Sequence, residues 1–465
     1  MQLLRLCSPI VFLAVASCAA SAAPAAPSGN APPLLQPPSV TDTEPAQQPP
    51  ASASTAPSAQ NAVEALPPGA SGPTKATPSK LADFEAIALA SNPALARANA
   101  RVRAAQGKWV QVGLAPNPTA GYAASEIGDE GRAGQQGAVI GQEFVLGGKL
   151  DLNRAVAAKE LQQAQQQSDA QRQRVINDVR IQFYRVLIAQ EKVTLAERLV
   201  KIGGQAVDTT ERLFKAQDAS RADLLQARIE SNSARILAEN AGNERLSAWR
   251  AMAAVIGQPE LPLSPVSGEL HDGLTKIEWN DALQTVLSMS PEVAIARSEV
   301  ERARCSLSRA QAEPIPNVDL QLTAQHDNAT SDDIVGVQAV FPIPIWNRNQ
   351  GGISQAQGEL AAAASNVSRV ELSLQQRLAT AYARYANARQ QVDHYEKEIL
   401  PDAQSSLDLV NEGYRQGEFY FLGLLTAQRT YFQMNLAYLD ALLQLHESSI
   451  EIDGMLLRGS LQSAE

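Results

Sequence analysis

The chain of 465 residues carries 39 Lys and Arg against 49 Asp and Glu, a formal net charge of −10 with no basic footprint, which argues against a nucleic-acid partner. It is 45% hydrophobic but only 5% aromatic, with Ala, Gln, Leu and Arg abundant, a balance that favours long helices over a dense mixed core. Three cysteines, Cys7, Cys18 and Cys305, cannot make a disulfide framework.

Residues 1–22 read as an export signal, with Arg5 as the positive region and a mostly apolar stretch from Leu6 to Ala16. Val15-Ala16-Ser17-Cys18 resembles a lipobox, which would end the leader at residue 17 and leave a lipidated Cys18. Ala20-Ser21-Ala22 offers ordinary signal-peptidase cleavage instead. Residues 23–80 are rich in Ala, Pro and Ser with almost no large apolar side chains. Such a segment buries too little surface to offset its ordering entropy, so a disordered tether is expected. No later run of about 18 apolar residues follows, so no membrane helix is expected.

From Leu81 the chain repeats itself once. Asn92-Pro93 returns as Ser290-Pro291 and Pro116-Asn117-Pro118 as Pro314-Ile315-Pro316, while Phe144 answers Phe341 and Tyr184 answers Tyr382. The two copies cover residues 81–260 and 261–458, with a tail at 459–465. Each copy opens on an amphipathic helix, about 84–113 and about 279–312, ended by Pro-x-Pro. A β-hairpin comes next, about 119–126 with 137–146, then 318–325 with 335–341. The strand 318–325 alternates apolar and polar residues without exception.

Gly147-Gly148 and Gly351-Gly352 open very long helical runs to Ala216 and Gln416. At 1.5 Å per residue, about 67 residues would span about 100 Å. Gly203-Gly204 and Pro401 are expected to bend these runs without stopping them. Helices return over 222–256 and 421–457. The polar turns between outgoing and returning helices form a matched pair. Phe214-Lys215-Ala216-Gln217-Asp218 and Ser220 stand in the first, and Tyr414-Arg415-Gln416-Gly417-Glu418-Phe419 in the second. Gly417 suits a chain reversal at positive φ; Gln217 stands in the corresponding place. Ser220-Arg221-Ala222-Asp223 reads as a capping box for the returning helix.

The fold class is therefore mainly α with a small β part, a duplicated helix–hairpin–long helix–helix unit. Strands of this length with one apolar face suit a transmembrane barrel, but a chain with four strands cannot close one, because membrane barrels start at about eight. The barrel must be shared between copies, since open sheet edges do not survive in hydrocarbon. A soluble sheet capping a helical bundle is the other reading of the same alternation.

These residues carry a resemblance. Over about residues 81–458 the chain resembles the TolC family of outer-membrane efflux factors. Phe341-Pro342-Ile343-Pro344-Ile345-Trp346-Asn347-Arg348-Asn349-Gln350-Gly351-Gly352 is similar to the strand-to-helix motif of the subgroup serving cobalt–zinc–cadmium resistance pumps. The resemblance implies a homotrimer in outer-membrane lipid, a twelve-stranded barrel above a periplasmic α-helical barrel, and passive export. It also implies a periplasmic adaptor and an inner-membrane RND-type pump as partners. The tip residues Lys215, Gln217, Asp218, Ser220, Arg415, Gly417, Glu418 and Phe419 would then meet the adaptor. In the family a carboxylate after the first turn bonds a tyrosine and an arginine near the second. Asp223 and Tyr414 fall on those positions, Phe419 takes the arginine's place, and Gly423 and Thr426 replace family carboxylates.

No phosphate loop, nucleophile constellation or metal-ligand cluster is present, so neither an enzyme nor a cofactor is expected. His271, His326, His394 and His446 are scattered and read as solvated or structural. Asp129, Glu130, Asp327, Asp332 and Asp333 in the hairpin connections read as solvated loops or as a cation-favouring outer mouth. Metal specificity would come from the pump. A multidrug or type I secretion factor is an alternative within the family, and a periplasmic adaptor or coiled-coil scaffold lipoprotein an alternative outside it.

Overall fold

The computed structural model describes residues 80–131 and 133–462; the expected export signal, Cys18 and almost all of the tether lie outside the described residues. The first repeat runs α1 (Leu81–Ser91), α2 (Pro93–Gln111), β1 (Thr119–Ser125), β2 (Gln135–Phe144), α3 (Lys149–Lys215) and α4 (Arg221–Ile256). The second runs α5 (Trp279–Met289), α6 (Pro291–Ala312), β3 (Val318–Asp327), β4 (Asp332–Val340), α7 (Gln350–His394), α8 (Leu400–Gln416) and α9 (Phe421–Asp453).

Three sequence expectations change in detail. The opening helix of each copy is two helices, because Pro93 and Pro291 occupy the first turn of a new one. Asn92 and Ser290 cap that turn, accepting from the amides of Ala94 (2.8 Å) and Glu292 (3.2 Å). Gly203-Gly204 does not interrupt α3, which runs unbroken for 67 residues. Gly203 is instead a close-approach position, since a Cβ there would lie 3.3 Å from the Ser231 Cα on α4. In the second copy the helix opens at Gln350, one residue before Gly351-Gly352, and Asn349 takes the left-handed position (φ 58°) that Gly148 holds in the first (φ 65°). Asparagine tolerates that region better than other side chains. At Pro401 the run changes helical geometry without stopping. A π-helical turn at Tyr395–Ile399 separates α7 from α8 and absorbs the proline, which has no N–H and crowds the preceding turn.

The strands form one antiparallel sheet in the order β1-β2-β3-β4. The two hairpins are joined by β2 and β3, with Ile140 opposite Leu322 and Phe144 opposite Val318. Each repeat packs its short helices on its own long ones, and α6 lies against α3 of the first repeat as well. Phe84 of α1 is fully buried against Phe183 and Trp249, the latter edge-on at 6.1 Å. Val286 of α5 lies in a second core with Leu374, Leu378 and Leu442. Ion pairs then tie the repeats together: Arg185 to Glu447 (2.6 Å), and Lys192 to both Glu244 (3.1 Å) and Asp440 (2.8 Å). Burial alone would depress the Lys192 ammonium. Its hydrogen bonds to Asp440 and Glu244 outweigh that and hold its pKa above the ordinary lysine value.

Residues 257–278 connect the repeats without regular structure, yet side chains of the long helices pin them along their length. The Val266 amide donates to Gln190 (3.2 Å), Tyr184 donates to the Asp272 carbonyl (3.0 Å), and Tyr385 donates to the Thr275 carbonyl (3.0 Å). His446 bonds the Leu270 carbonyl through Nε2 (2.7 Å) and stacks on the Tyr184 ring at 3.7 Å. Burial holds the His446 pKa below the ordinary histidine value, and the nearby His271 adds to that. A histidine whose folded pKa is depressed withdraws stability as pH falls below its unfolded value of about 6.5. Acidification from about pH 7.5 to about pH 5.5 should therefore lower the denaturation midpoint, and His446→Gln should flatten that dependence. An unchanged pH slope in His446→Gln would show that other groups set it.

Candidate functional site

Two regions of the chain present chemistry outward: the sheet and the helix-turn end. In the sheet, pairing registers place Tyr122, Ile140, Leu320, Leu322, Val335 and Val337 on one face. All six are exposed, Val337 and Val335 at 71% and 70%. The opposite face carries Thr119, Ser125, Gln321, Thr323, Gln325 and Gln338, with Gly121, Gly137, Gly141 and Gly336 between them. Strand periodicity explains the separation, because successive side chains alternate faces. A sheet with a bare apolar face, a polar face and two unpaired edges, β1 and β4, is the inside-out pattern of a membrane barrel segment.

At the other end, the turns α3–α4 and α8–α9 lie together. Tyr414, Phe421 and Leu424 are buried with Leu407 against Ala206 of α3 and Ala227 of α4. The Tyr414 hydroxyl lies 3.2 Å from Thr210 Oγ1 on α3. Thr210 donates its own proton to the Ala206 carbonyl (2.8 Å), which leaves Tyr414 as the donor between them. Asp223 is engaged elsewhere. It accepts from the Ser220 amide (3.0 Å) and hydroxyl (2.7 Å), while its own amide donates to Ser220 Oγ (3.1 Å). This is the reciprocal capping box read from the sequence. Within one chain Asp223 and Tyr414 are each occupied by a different partner.

The two turns share a backbone design. Asp218 N–H donates to the Leu213 carbonyl (2.9 Å) and Glu418 N–H to the Gly413 carbonyl (2.8 Å), both closing over a residue at positive φ. That residue is Gly417 (φ 79°) in the second turn and Gln217 (φ 65°) in the first. The chain thus keeps the reversal where it lacks the glycine, at a cost of roughly 1–2 kcal/mol for a side chain in the left-handed region. Caps are distributed the other way: Ser220 caps α4, whereas Tyr420 gives α9 no side-chain cap. Lys215, Gln217, Asp218, Ser220, Arg415, Gly417, Glu418 and Phe419 are all exposed around these turns, and Lys215 pairs with Glu211 (3.2 Å).

The sequence reading missed Thr210 as the Tyr414 partner, and it missed a forked ion pair. Arg429 on α9 reaches Glu230 on α4 through Nε (3.0 Å) and a terminal nitrogen (2.7 Å). Both residues lie at nearly equal depth behind their turns, ten positions beyond Ser220 and nine beyond Tyr420. That equality was the only available signal.

Comparison with known proteins decides the family. The chain matches the outer membrane efflux protein family over residues 86–258 and 282–456, one segment in each repeat. It belongs to that family. The cobalt-zinc-cadmium resistance protein CzcC of Cupriavidus metallidurans is 28% identical over 378 residues, spanning 80% of this chain and 88% of that protein. The fold is similar to that of CusC, with a TM-score of 0.69 at 18% identity over 82% of this chain and 92% of that one. It is also similar to the open-state MtrE outer membrane channel of Neisseria gonorrhoeae, with a TM-score of 0.67 at 20% identity over 82% and 89%. The architecture is thus the TolC type, in which the barrel closes only in the trimer, and the four-stranded open sheet is one chain's share of it. The protein is a Gram-negative outer-membrane channel component with a periplasmic helical extension, a duct rather than an enzyme. Among the described residues no group of three or more His, Cys, Asp or Glu is placed to hold a metal ion. Among them, too, no helix is long and apolar enough to cross a membrane.

Gln217→Gly should relieve the first turn and raise its stability by about 1 kcal/mol, read as a higher denaturant midpoint or slower hydrogen exchange at residues 213–218. A loss of stability would mean that the Gln217 side chain makes a compensating contact in the assembled protein.

Proposed function

We propose that this chain is the outer-membrane duct of a tripartite efflux system that exports divalent heavy-metal cations, working with a periplasmic adaptor and an inner-membrane RND-type pump. The observation that carries the metal reading is the 28% identity to a cobalt-zinc-cadmium resistance protein across 88% of that protein's length. The duct itself holds no metal cluster among its described residues, so substrate choice falls to the pump. Three copies would complete the barrel and stack their long helices into a tube. Exposed apolar residues on α4, Leu225, Ile229 and Ile236, lie at helical spacing and suit packing against a neighbouring copy.

The adaptor is assigned to the helix-turn end, where two solvent-exposed turns with charged and polar side chains project from a pair of helical hairpins. Closure of that end is assigned to contacts between the hairpins, Tyr414 with Thr210 and Arg429 with Glu230, with Asp223 primarily a cap. A neutral hydrogen bond contributes about 0.5–1.5 kcal/mol and a half-exposed ion pair about 0.2–1 kcal/mol, so such a latch is weak enough for a partner to open.

Deleting the gene should sensitise cells to zinc, cobalt or cadmium, and restoring it should rescue them. Gly417→Val should fail to rescue while the trimer and its membrane insertion persist. Tyr414→Phe should raise single-channel conductance without loss of assembly. Sensitivity to drugs but not metals would move the assignment to multidrug export, and full rescue by Gly417→Val would remove the second turn from the docking surface.

A further inference from the structure

The two repeats make the same connection, from sheet to long helix, with different amounts of chain. In the first repeat residues 145–148 suffice, four in all, between β2 and α3. In the second, residues 341–349 are used, nine in all, between β4 and α7. The longer strap is not loose. Asn349 donates to the Ala310 carbonyl at the end of α6 (2.8 Å), Gln350 donates to the Trp346 carbonyl (3.0 Å), and the Arg348 amide donates to the Gln350 side chain (3.1 Å). The Asn349 amide is taken by Asn347 (3.0 Å) and the Ile345 amide by the Ile343 carbonyl (2.9 Å). Pro342 and Pro344 have no N–H to satisfy.

This self-satisfied backbone holds large apolar side chains outward. Trp346 is 86% exposed, Ile343 72%, Ile345 56% and Phe341 54%. Phe341 continues the alternation of Val335, Val337 and Ala339, so the strap begins on the sheet's apolar face and extends it toward the helices. Arg348 follows after Asn347; its side chain donates to the Pro344 carbonyl (3.4 Å) and makes no ion pair among the described residues. A ring-bearing apolar cluster ending in a cation with no ion-pair partner among the described residues matches the boundary between acyl chains and lipid phosphate, where tryptophan concentrates. The four-residue connection of the first repeat shows that the extra length is not needed to join sheet to helix.

We propose that the 341–349 strap is a membrane-interface anchor. It seats Ile343, Ile345 and Trp346 in the headgroup boundary of the periplasmic leaflet and sets Arg348 against phospholipid phosphate. Each subunit carries one such anchor, so the trimer grips the leaflet at three points and fixes the depth and tilt of the barrel. The inference rests on the outer-membrane location and is independent of which substrate passes.

The test uses the full-length trimer in phosphatidylethanolamine–phosphatidylglycerol vesicles whose acyl chains carry bromine near the headgroup or near the bilayer centre. Shallow bromines should quench the tryptophan emission of the wild type, and Trp346→Phe should reduce that quenching at least about twofold. Deep bromines should act less on Trp346 than shallow ones. Val337→Trp in the Trp346→Phe background reports the barrel itself, and deep bromines should quench it. Quenching at Val337→Trp with none attributable to Trp346 would overturn the anchor while leaving the barrel intact, and would place a neighbouring subunit over the strap. Equal quenching of wild type and Trp346→Phe would overturn it as well.

Discussion

The four-stranded sheet ends in two rows of backbone amides and carbonyls, on β1 and β4, that no strand among the described residues pairs. In water such an edge is tolerable; in hydrocarbon each unpaired group costs several kcal/mol. The face chemistry of the same sheet allows no other setting, since Tyr122, Ile140, Leu322, Val335 and Val337 stand together on one surface with no helix laid over them. Edges that must be paired and a face that must leave water are satisfied at once only when copies join edge to edge inside a membrane. The remaining features follow from that constraint: a duplicated chain that supplies two hairpins, and helices polar enough to stand in water while they lengthen the channel.

The helical part meets a different demand. Helices of this length cannot be stabilised by propensity alone, so cross-links recur along them. Phe84 and Trp249 anchor the first repeat near its start. Lys192, Arg185 and the pinned connection at 257–278 bind the two repeats in the middle. Near the turns the repeats meet through the small buried cluster around Tyr414, Phe421 and Leu424, the Tyr414–Thr210 hydroxyl pair and the forked ion pair Arg429–Glu230. The end of the structure assigned to opening holds a smaller buried cluster than the middle, as expected for an element that must move.

Much of this was legible in residue order because the determining signals were local. Proline pairs marked the helix ends, strict alternation marked β3, and Ser220 with Asp223 marked a cap that the structure reproduces bond for bond. The failures were equally local. Pro93 and Pro291 were read as parts of continuing helices, although a Ser or Asn before proline is itself a helix start. Gly203 signalled a bend, but its meaning lay in the approach of Ser231, a residue on another helix. The same holds at the turns. Gln217 stands where the second turn has Gly417, yet it takes the same positive φ, and Thr210 gave no sign that Tyr414 would reach it. Contacts between helices some 200 positions apart in sequence leave no periodic trace.

The central claim is that the β1 edge of one copy pairs with the β4 edge of the next. Disulfide trapping reads this directly in a Cys305→Ser background. Tyr122→Cys is combined in turn with Val335→Cys, Val337→Cys or Ala339→Cys, all on the apolar face of the sheet. The account predicts that one combination, set by the register, forms intermolecular cross-links in membranes and gives a ladder that stops at three subunits on denaturing gels. Absence of cross-linking in all three combinations, or a ladder that continues past the trimer, would contradict it.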